Sequence, residues 1–293
     1  NSIGPVWDGN EVWLVTGGGA LFAAFPEAYA TVFSGFYLAF MLFLLALIFR
    51  AVAIEFRSKQ PMQWWRKLWD VGFSLGSVFA AFILGVAMGN IAYGVPIGAD
   101  HVFAGSFLDL LTPYAILTGI TTVALFSMHG AIYGVLKTEG ELHDKLRSWV
   151  RRTIIFFILM YILTTMVTLL YVPHMAEPFK NNPILFVLPL ISLLAIANVP
   201  REYYYKRDFR AFLSSCVAVM GLLALFGVGI FPNMVYSTLD PAYSLTIYEA
   251  ASSQKTLTIM LIIAAIGMPL VIAYTSSIYW IFRGKVRLTE GSY

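Results

Sequence analysis

Eight apolar stretches dominate the sequence, and each is about long enough to cross a lipid bilayer, which takes about 20 residues in a helix. The chain has 293 residues, of which 59% are hydrophobic and 12% charged. Its mean hydropathy is +0.76, whereas soluble domains carry about twice that share of charge. The pattern predicts an all-α, polytopic membrane protein that forms one integral-membrane domain over residues 1–293. The predicted spans are 8–27, 29–53, 69–92, 112–136, 150–172, 183–199, 210–231 and 256–282.

Lysine and arginine are divided unequally between the predicted loops. Seventeen of the 19 basic residues lie in, or within four residues of, the segments between spans two and three, four and five, or six and seven, or after span eight. Only Lys180 and Lys255 fall on the other side. Because cytoplasmic loops are enriched in lysine and arginine, this distribution places Asn1 and Tyr293 in the cytoplasm. No positively charged leader precedes the first span, so we expect the chain to be incomplete at its N-terminus.

The first predicted span begins with two carboxylates. Asp8 and Glu11 are three residues apart and therefore share a helical face. Acids at a helix N-terminus stabilise the macrodipole, but acids inside a membrane also form proton relays. Asp8 favours the relay because it lies between Trp7 and Trp13 at the membrane boundary, whereas Glu11 fits either interpretation. Glu55, at the end of span two, could extend a proton-accessible surface from Asp8.

Small residues follow these acids along the same span. Such residues let a second helix approach closely, so we expect this span at the centre of its bundle, with its acids buried against protein. Pro26 and Glu27 then end the span on the outer side. The glycines do not follow a strand, which excludes a phosphate-binding loop. The predicted packing residues are Gly17, Gly18, Gly19, Ala20 and Ala23.

Residues that could bind a metal or a haem are scarce. Cys216 is the single cysteine, so the chain has no intrachain disulfide, and no cysteine–histidine grouping suits zinc or an iron–sulfur cluster. Haem in a helical bundle needs axial ligands inside the spans, and of the four histidines only His129 approaches a span interior. We therefore predict no metal site and no haem on this chain. The outer segment 244–254 is interpreted as a capping loop that satisfies its own backbone.

Four stretches of the chain carry a family pattern. They are NSIGPVWDGNEVWLVTGGGALFAAFPEAYATVFSGFY at 1–37, FRAVAIEFRSK at 49–59, KTEGELHDKLR at 137–147 and YSLTIYEAASSQKTLTIM at 243–260. This pattern resembles subunit II of the cytochrome bd-type quinol oxidases over essentially the whole chain. The resemblance implies a bacterial inner-membrane complex that oxidises quinol and reduces oxygen to water with cytoplasmic protons, without pumping. It also implies that haems b and d belong to the partner, subunit I.

The resemblance further implies roles for single residues. The Asp of the WDGN motif, here Asp8, lies on the family's proposed proton route together with an acid that matches Glu55, where some relatives have Asp. Tyr293 matches a terminal Tyr of some relatives, and Tyr248 stands where relatives have Trp. Some members hold a structural quinone in subunit II, and some have small accessory subunits. A further span ahead of WDGN would make nine in the intact protein.

The sequence leaves one alternative function open. A proton-coupled secondary transporter could use Asp8, Glu11 and Glu27 to couple proton movement to a solute. Transporters of this kind often have internal repeats and broken helices near the bilayer midplane. Here the acids lie near the membrane boundaries and the midplane lacks charge, which favours the oxidase subunit.

Overall fold

Ten α-helices form most of the computed structural model, which describes residues 2–286. Asn1, Arg287 and Tyr293, which entered the predictions of topology and of the proton route, lie outside the described residues. The helices are α1 (Trp7–Ala24), α2 (Pro26–Gly35), α3 (Tyr37–Phe56), α4 (Gln63–Tyr93), α5 (Pro113–Lys137), α6 (Gly140–Tyr171), α7 (Glu177–Asn181), α8 (Val187–Tyr204), α9 (Asp208–Ile230) and α10 (Gln254–Ile281). Two short strands, β1 (Asn233–Val235) and β2 (Leu245–Thr246), pair antiparallel. The fold is therefore mostly helical but not strictly all-α.

Seven of these helices are long and apolar enough to cross a membrane: α3, α4, α5, α6, α8, α9 and α10. Helix α1 is not among them, because its 18 residues include Asp8, Asn10 and Glu11. The predicted count of eight spans therefore depends on α1 and stays a prediction.

The helices alternate in direction between two ends of the bundle. At one end, called here the basic end, the Lys137 ammonium donates to the carbonyl oxygen of Phe282 at 2.6 Å. At the opposite end, called here the loop end, the Ser252 amide donates to the carbonyl oxygen of Ala24 at 2.8 Å. Helix α1 starts near the basic end, where the Tyr133 hydroxyl donates to the carbonyl oxygen of Ser2, and finishes at the loop end. Its 18 residues cover about 27 Å, so α1 runs the length of the bundle.

The predicted boundary between spans one and two was wrong. Helix α1 ends at Ala24, and Pro26 and Glu27 open α2 instead of ending the first span. Proline has no N–H to continue α1, and its fixed φ suits the first position of a new helix. The predicted span 29–53 is likewise divided at Phe36 into α2 and α3.

The predicted third span, 69–92, starts too late at the basic end. Helix α4 begins earlier, at Gln63, so Asp70 lies in its second turn. The carboxylate instead receives two hydrogen bonds from the Arg57 guanidinium, at 2.5 and 3.2 Å. Trp65 and Trp69 contact each other edge to face beside this pair. The contact fixes the turn between α3 and α4 at the basic end.

Close helix packing depends on glycines of α4. A Cβ atom built on Gly89 would lie 2.8 Å from the Cα of Ala115 on α5, and one on Gly85 would lie 2.8 Å from the Cα of Gly119. Both glycines of α4 are buried, so the α4 and α5 backbones touch. A core of buried apolar side chains lies between α5, α6, α8 and α9 and includes Met128, Phe157 and Val199.

The glycines of α1 are placed differently. Within the described chain no residue of α1 is buried, and Cβ atoms built on Gly17 and Gly19 would meet open space. Gly18 has one neighbour, the ring of Phe33, at 3.8 Å. The expectation that this span lies at the centre of the chain's own bundle is therefore wrong. That its small face packs against another helix stays a prediction, and it requires a helix from outside the described residues.

The loop end is closed by segments that satisfy their own backbones, as expected for 244–254. Asn233 pairs with Thr246 and Val235 with Leu245 across the two strands. Glu249 accepts hydrogen bonds from the Thr246 hydroxyl at 2.7 Å and from the Thr246 amide at 3.2 Å. The hydroxyl bond is the largest reason why the pKa of Glu249 is below its ordinary value. Apolar side chains beneath, including Ile97 and Leu245, are fully buried.

Candidate functional site

A cavity of about 350 Å3 opens between α1, α3, α4, α5, α9 and α10. Polar groups contributed by α1, α3, α4, α5 and α10 line part of it. The rest of its wall is apolar, with Leu14, Phe43, Leu47, Leu84, Phe126 and Phe212 among the lining residues. The cavity therefore suits a ligand with an apolar body and a few polar atoms.

The charged part of the cavity is an ion pair between α1 and α3. The Glu11 Oε1 atom lies 3.1 Å from the Arg50 Nε atom, and the two side chains are 23% and 27% exposed. The two atoms are not aligned for a hydrogen bond, and neither has another hydrogen-bond partner among the described residues. Arg50 also lies 5.7 Å from the ring centroid of Phe73. The pair therefore keeps unused hydrogen-bonding capacity next to the cavity.

Hydroxyl groups add further polarity to the cavity wall. The Ser77 Oγ atom on α4 is buried and has no hydrogen-bond partner among the described residues. Asn10 donates to the Tyr279 hydroxyl at 3.3 Å, which ties α1 to α10. Tyr133 lines the same cavity from α5. Because an unpaired buried polar group is costly, Ser77 and the ion pair mark where a ligand's polar atoms would bind.

The acids predicted to carry protons do not converge in this chain. Asp8 and Glu55 are both exposed, and neither side chain makes a hydrogen bond or an ion pair within residues 2–286. Glu11, the weaker of the three predictions, is the one that faces the cavity. The structure thus unites Glu11 with Arg50 and leaves Asp8 and Glu55 on the surface near the basic end.

Each of the four histidines already has a polar contact through one ring nitrogen. His129 contacts the Ser215 hydroxyl at 2.9 Å and stacks on Phe212. His101 lies 2.6 Å from Glu27, while the other two bind backbone oxygens. The described residues hold no group of three histidine, cysteine, aspartate or glutamate side chains that could hold a metal ion. Only His129 lies well inside a helix long enough to cross the membrane, so the described residues offer no pair of histidines at mid-helix that could hold a haem between them.

Sequence reasoning missed Arg50, Ser77 and Tyr133. A usable signal existed for Arg50, since it falls inside the predicted span 29–53 and a charge at that depth needs a partner. Glu11 is the acid it meets. Ser77 and Tyr133 carried no comparable signal, because single hydroxyls in apolar helices usually bond to their own backbone.

Comparisons with known proteins agree over nearly the whole chain. The family model described as "Cytochrome bd terminal oxidase subunit II" matches residues 1–282. The cytochrome bd-I ubiquinol oxidase subunit 2 of Escherichia coli strain K12 is 34% identical, in an alignment covering 98% of this chain and 83% of that protein. The cytochrome bd ubiquinol oxidase subunit 2 of Bacillus subtilis strain 168 is 36% identical, over 99% and 85%.

A solved structure supports the fold independently. A chain of the bd oxidase from Geobacillus thermodenitrificans superposes with a TM-score of 0.77, covering 95% of this chain and 83% of that one. The two sequences are 17% identical, so this similarity speaks for the arrangement of helices alone.

Proposed function

The chain belongs to the cytochrome bd terminal oxidase subunit II family, and from this premise we propose that it is the haem-free subunit of a bacterial quinol oxidase. The complex is an oxidoreductase of the inner membrane, and the family implies haems, quinol and a partner subunit I. In our proposal the partner holds haems b and d, where electrons from quinol reduce oxygen to water. The observation that carries this is family membership over residues 1–282.

The positions of the histidines support a partner that holds the haems. Among the described residues only His129 lies well inside a membrane-length helix, and the other histidines lie in loops or near helix ends. This chain therefore contributes structural support and a surface that contacts the partner subunit. The open glycines of α1 support the same division, because Gly17 and Gly19 would let a helix of subunit I approach closely. Gly17→Leu should then weaken copurification of the two subunits, while Gly227→Leu, at an equally open glycine of α9, should not.

Proton uptake is assigned to the basic end. Seventeen of the 19 lysines and arginines belong to this side, which the positive-inside rule places in the cytoplasm. Asp8 and Glu55 are exposed there, so both can exchange protons with water and both can face the partner. We take α1 as the eighth span, which puts both chain ends on the cytoplasmic side. Glu11 is a secondary candidate because Arg50 holds its carboxylate.

The cavity is the proposed place for a structural quinone. A quinone has a flat apolar ring with two carbonyl acceptors, and Arg50 and Ser77 provide unused donors beside apolar walls. The volume of about 350 Å3 is at the small end for a ligand pocket, which suits the ring and the first part of its tail. Small accessory subunits stay an expectation drawn from the family.

Replacing the two surface acids tests the proton role. Asp8→Asn and Glu55→Gln should each lower quinol-driven oxygen consumption by about tenfold or more, the scale of losing a proton-transfer group. Haem absorbance and the amount of assembled complex should stay unchanged. Glu139→Gln is the matched control, since Glu139 is another exposed acid at the basic end. Turnover equal to the control in both variants would remove Asp8 and Glu55 from the route.

A further inference from the structure

The turn between α8 and α9 presents a cluster of exposed cations and aromatic rings at the basic end. It is called here the α8–α9 patch and comprises Arg201, Tyr205, Lys206, Arg207 and Arg210. All five residues are exposed, and the Tyr205 side chain is 56% exposed. Nothing in the proposed proton route or in the cavity uses this surface.

Of the two acids in the same segment, Glu202 is buried and Asp208 is paired with an arginine of another helix. The Glu202 side chain is only 3% exposed, and the Asp208 carboxylate lies 2.6 Å from the Arg147 guanidinium of α6. Both acids of the segment are therefore paired with arginines, and every charged residue of the α8–α9 patch itself is positive. Such a surface attracts an anion.

The two arginines are held in a defined arrangement. Their guanidinium carbons lie 5.9 Å (Arg201) and 5.4 Å (Arg207) from the Tyr205 ring centroid. Both also approach the buried Glu202 carboxylate, at 3.2 and 3.8 Å. The Arg201 Nη1 atom donates to Glu202 and to the Asn198 side chain, and Arg207 makes no side-chain hydrogen bond within residues 2–286. The remaining N–H groups can bind a phosphate in the forked geometry that arginine favours.

The α6 helix supports this arrangement from behind. The Arg147 guanidinium donates to the carbonyl oxygen of Tyr203 at 2.7 Å, and the Tyr203 hydroxyl donates to the carbonyl oxygen of Arg147 at 2.9 Å. Arg147 also lies 4.8 Å from the Tyr203 ring centroid. Rigid support of this kind lowers the entropy lost when a ligand binds.

The position of the turn indicates the ligand. Only three residues separate α8 from α9, and both helices are long enough to cross the membrane, so the turn lies at a bilayer surface. Exposed apolar side chains adjoin the cations: Tyr204 is 79% exposed, Phe209 64% and Leu213 53%. Apolar and cationic groups side by side match a lipid, which has an acyl chain next to an anionic headgroup.

We propose that the α8–α9 patch binds the headgroup phosphate of an anionic phospholipid, with Arg201 and Arg207 on the phosphate and Phe209 and Leu213 against an acyl chain. A soluble phosphate compound would use the cations alone. The lipid therefore accounts for more of the exposed side chains.

The test uses the purified complex of this chain with its haem subunit in mixed micelles. Phosphatidylglycerol retained by the complex is counted by native mass spectrometry, with phosphatidylcholine as the neutral lipid. Arg201→Gln/Arg207→Gln should lower phosphatidylglycerol retention by about 25-fold, from about fivefold per arginine at a membrane surface. Arg151→Gln/Arg152→Gln removes the same charge from exposed arginines of α6 and should have a clearly smaller effect.

Three results would overturn the proposal. They are an equal loss in both arginine pairs, unchanged retention in the first pair, and displacement of the lipid by inorganic phosphate at equal concentration. If the first pair fails to assemble, Tyr205→Ser is the deciding variant, because it keeps every charge and removes the ring between the arginines. Retention should then fall, and wild-type retention in Tyr205→Ser counts against the proposal.

Discussion

The Glu11–Arg50 pair joins α1 to α3 beside the cavity. Moving two charges from water into a helical bundle is costly, and their attraction repays that cost only when further hydrogen bonds satisfy them. Here the nearest atoms are 3.1 Å apart without alignment, and both have unused bonding capacity. A ligand with hydrogen-bond acceptor atoms would satisfy the donor that Arg50 leaves unused. The pair therefore links the stability of the α1–α3 contact to occupancy of the cavity.

Replacing Arg50 tests this link. Arg50→Gln should lower the free energy of unfolding by about 1–2 kcal/mol, less than for a fully buried pair because both side chains are partly exposed. It should also reduce the quinone extracted from the purified complex. Thermal unfolding and quinone quantification measure the two effects, with Arg66→Gln, an exposed arginine at the same end, as control. If the Arg50→Gln complex contains as much quinone as the wild type, the cavity is not the quinone site.

Glu249 gives the loop end a dependence on pH. Its pKa is below the ordinary value of 4.5, mainly because the Thr246 hydroxyl donates to the carboxylate, with a smaller contribution from His101. A lowered pKa means that the contact stabilises the fold above the ordinary value and is lost as the pH falls through the lowered one. Cleavage of residues 231–253 by pepsin should therefore rise as the pH falls below about 4. In Glu249→Gln this rise should be smaller, and an identical pH profile would contradict the assignment.

At the scale of the elements, apolar runs predicted the helices well and their ends poorly. The predicted span 112–136 agrees with α5, because Thr112 accepts a hydrogen bond from the Ala115 amide and Pro113 follows it, a strong N-terminal signal. The division at Phe36 was missed although Gly35 precedes it, because a single glycine inside an apolar run is tolerated in a helix and does not by itself predict a break. The packing role of Gly17 was assigned from composition, but glycine says only that a close approach is allowed. Which helix uses it depends on tertiary contacts that a single sequence does not contain.

The energetic difference between a glycine in a close helix contact and one in open space can be measured at the α4–α5 contact. Alanine stabilises a helix relative to glycine by about 1 kcal/mol when its methyl group has space. Gly227→Ala should therefore be neutral or stabilising, because Gly227 has no neighbour within 4 Å. Gly89→Ala should destabilise by about 1–3 kcal/mol, since its Cβ would lie 2.8 Å from backbone. Thermal unfolding of the two variants decides the sign, and equal midpoints would mean that α4 and α5 separate without cost.

At the scale of the whole molecule, the chain has a buried core of its own, but part of its helical surface is not covered by the described residues. Met128, Phe157 and Val199 are enclosed by α5, α6, α8 and α9, whereas α1 and α10 contain no buried residue within the described chain. Lipid can cover α10, whose surface is apolar. Helix α1 starts with Asp8 and Glu11 and is a poorer lipid-facing helix, which favours protein as its neighbour. The same polar residues are the reason why α1 is not among the seven helices that are long and apolar enough to cross a membrane.

The direction of α1 makes the number of crossings testable. Helix α1 runs from the basic end to the loop end, so an eight-span chain has Pro5 and Asp100 on opposite sides of the membrane. In a Cys216→Ser background, Pro5→Cys should react with an impermeant maleimide only in inverted vesicles, and Asp100→Cys only in intact spheroplasts. Ser58→Cys, in the turn between α3 and α4, controls for the basic end and should follow Pro5→Cys. Labelling of Pro5→Cys from the same side as Asp100→Cys would mean that α1 does not cross, leaving seven spans.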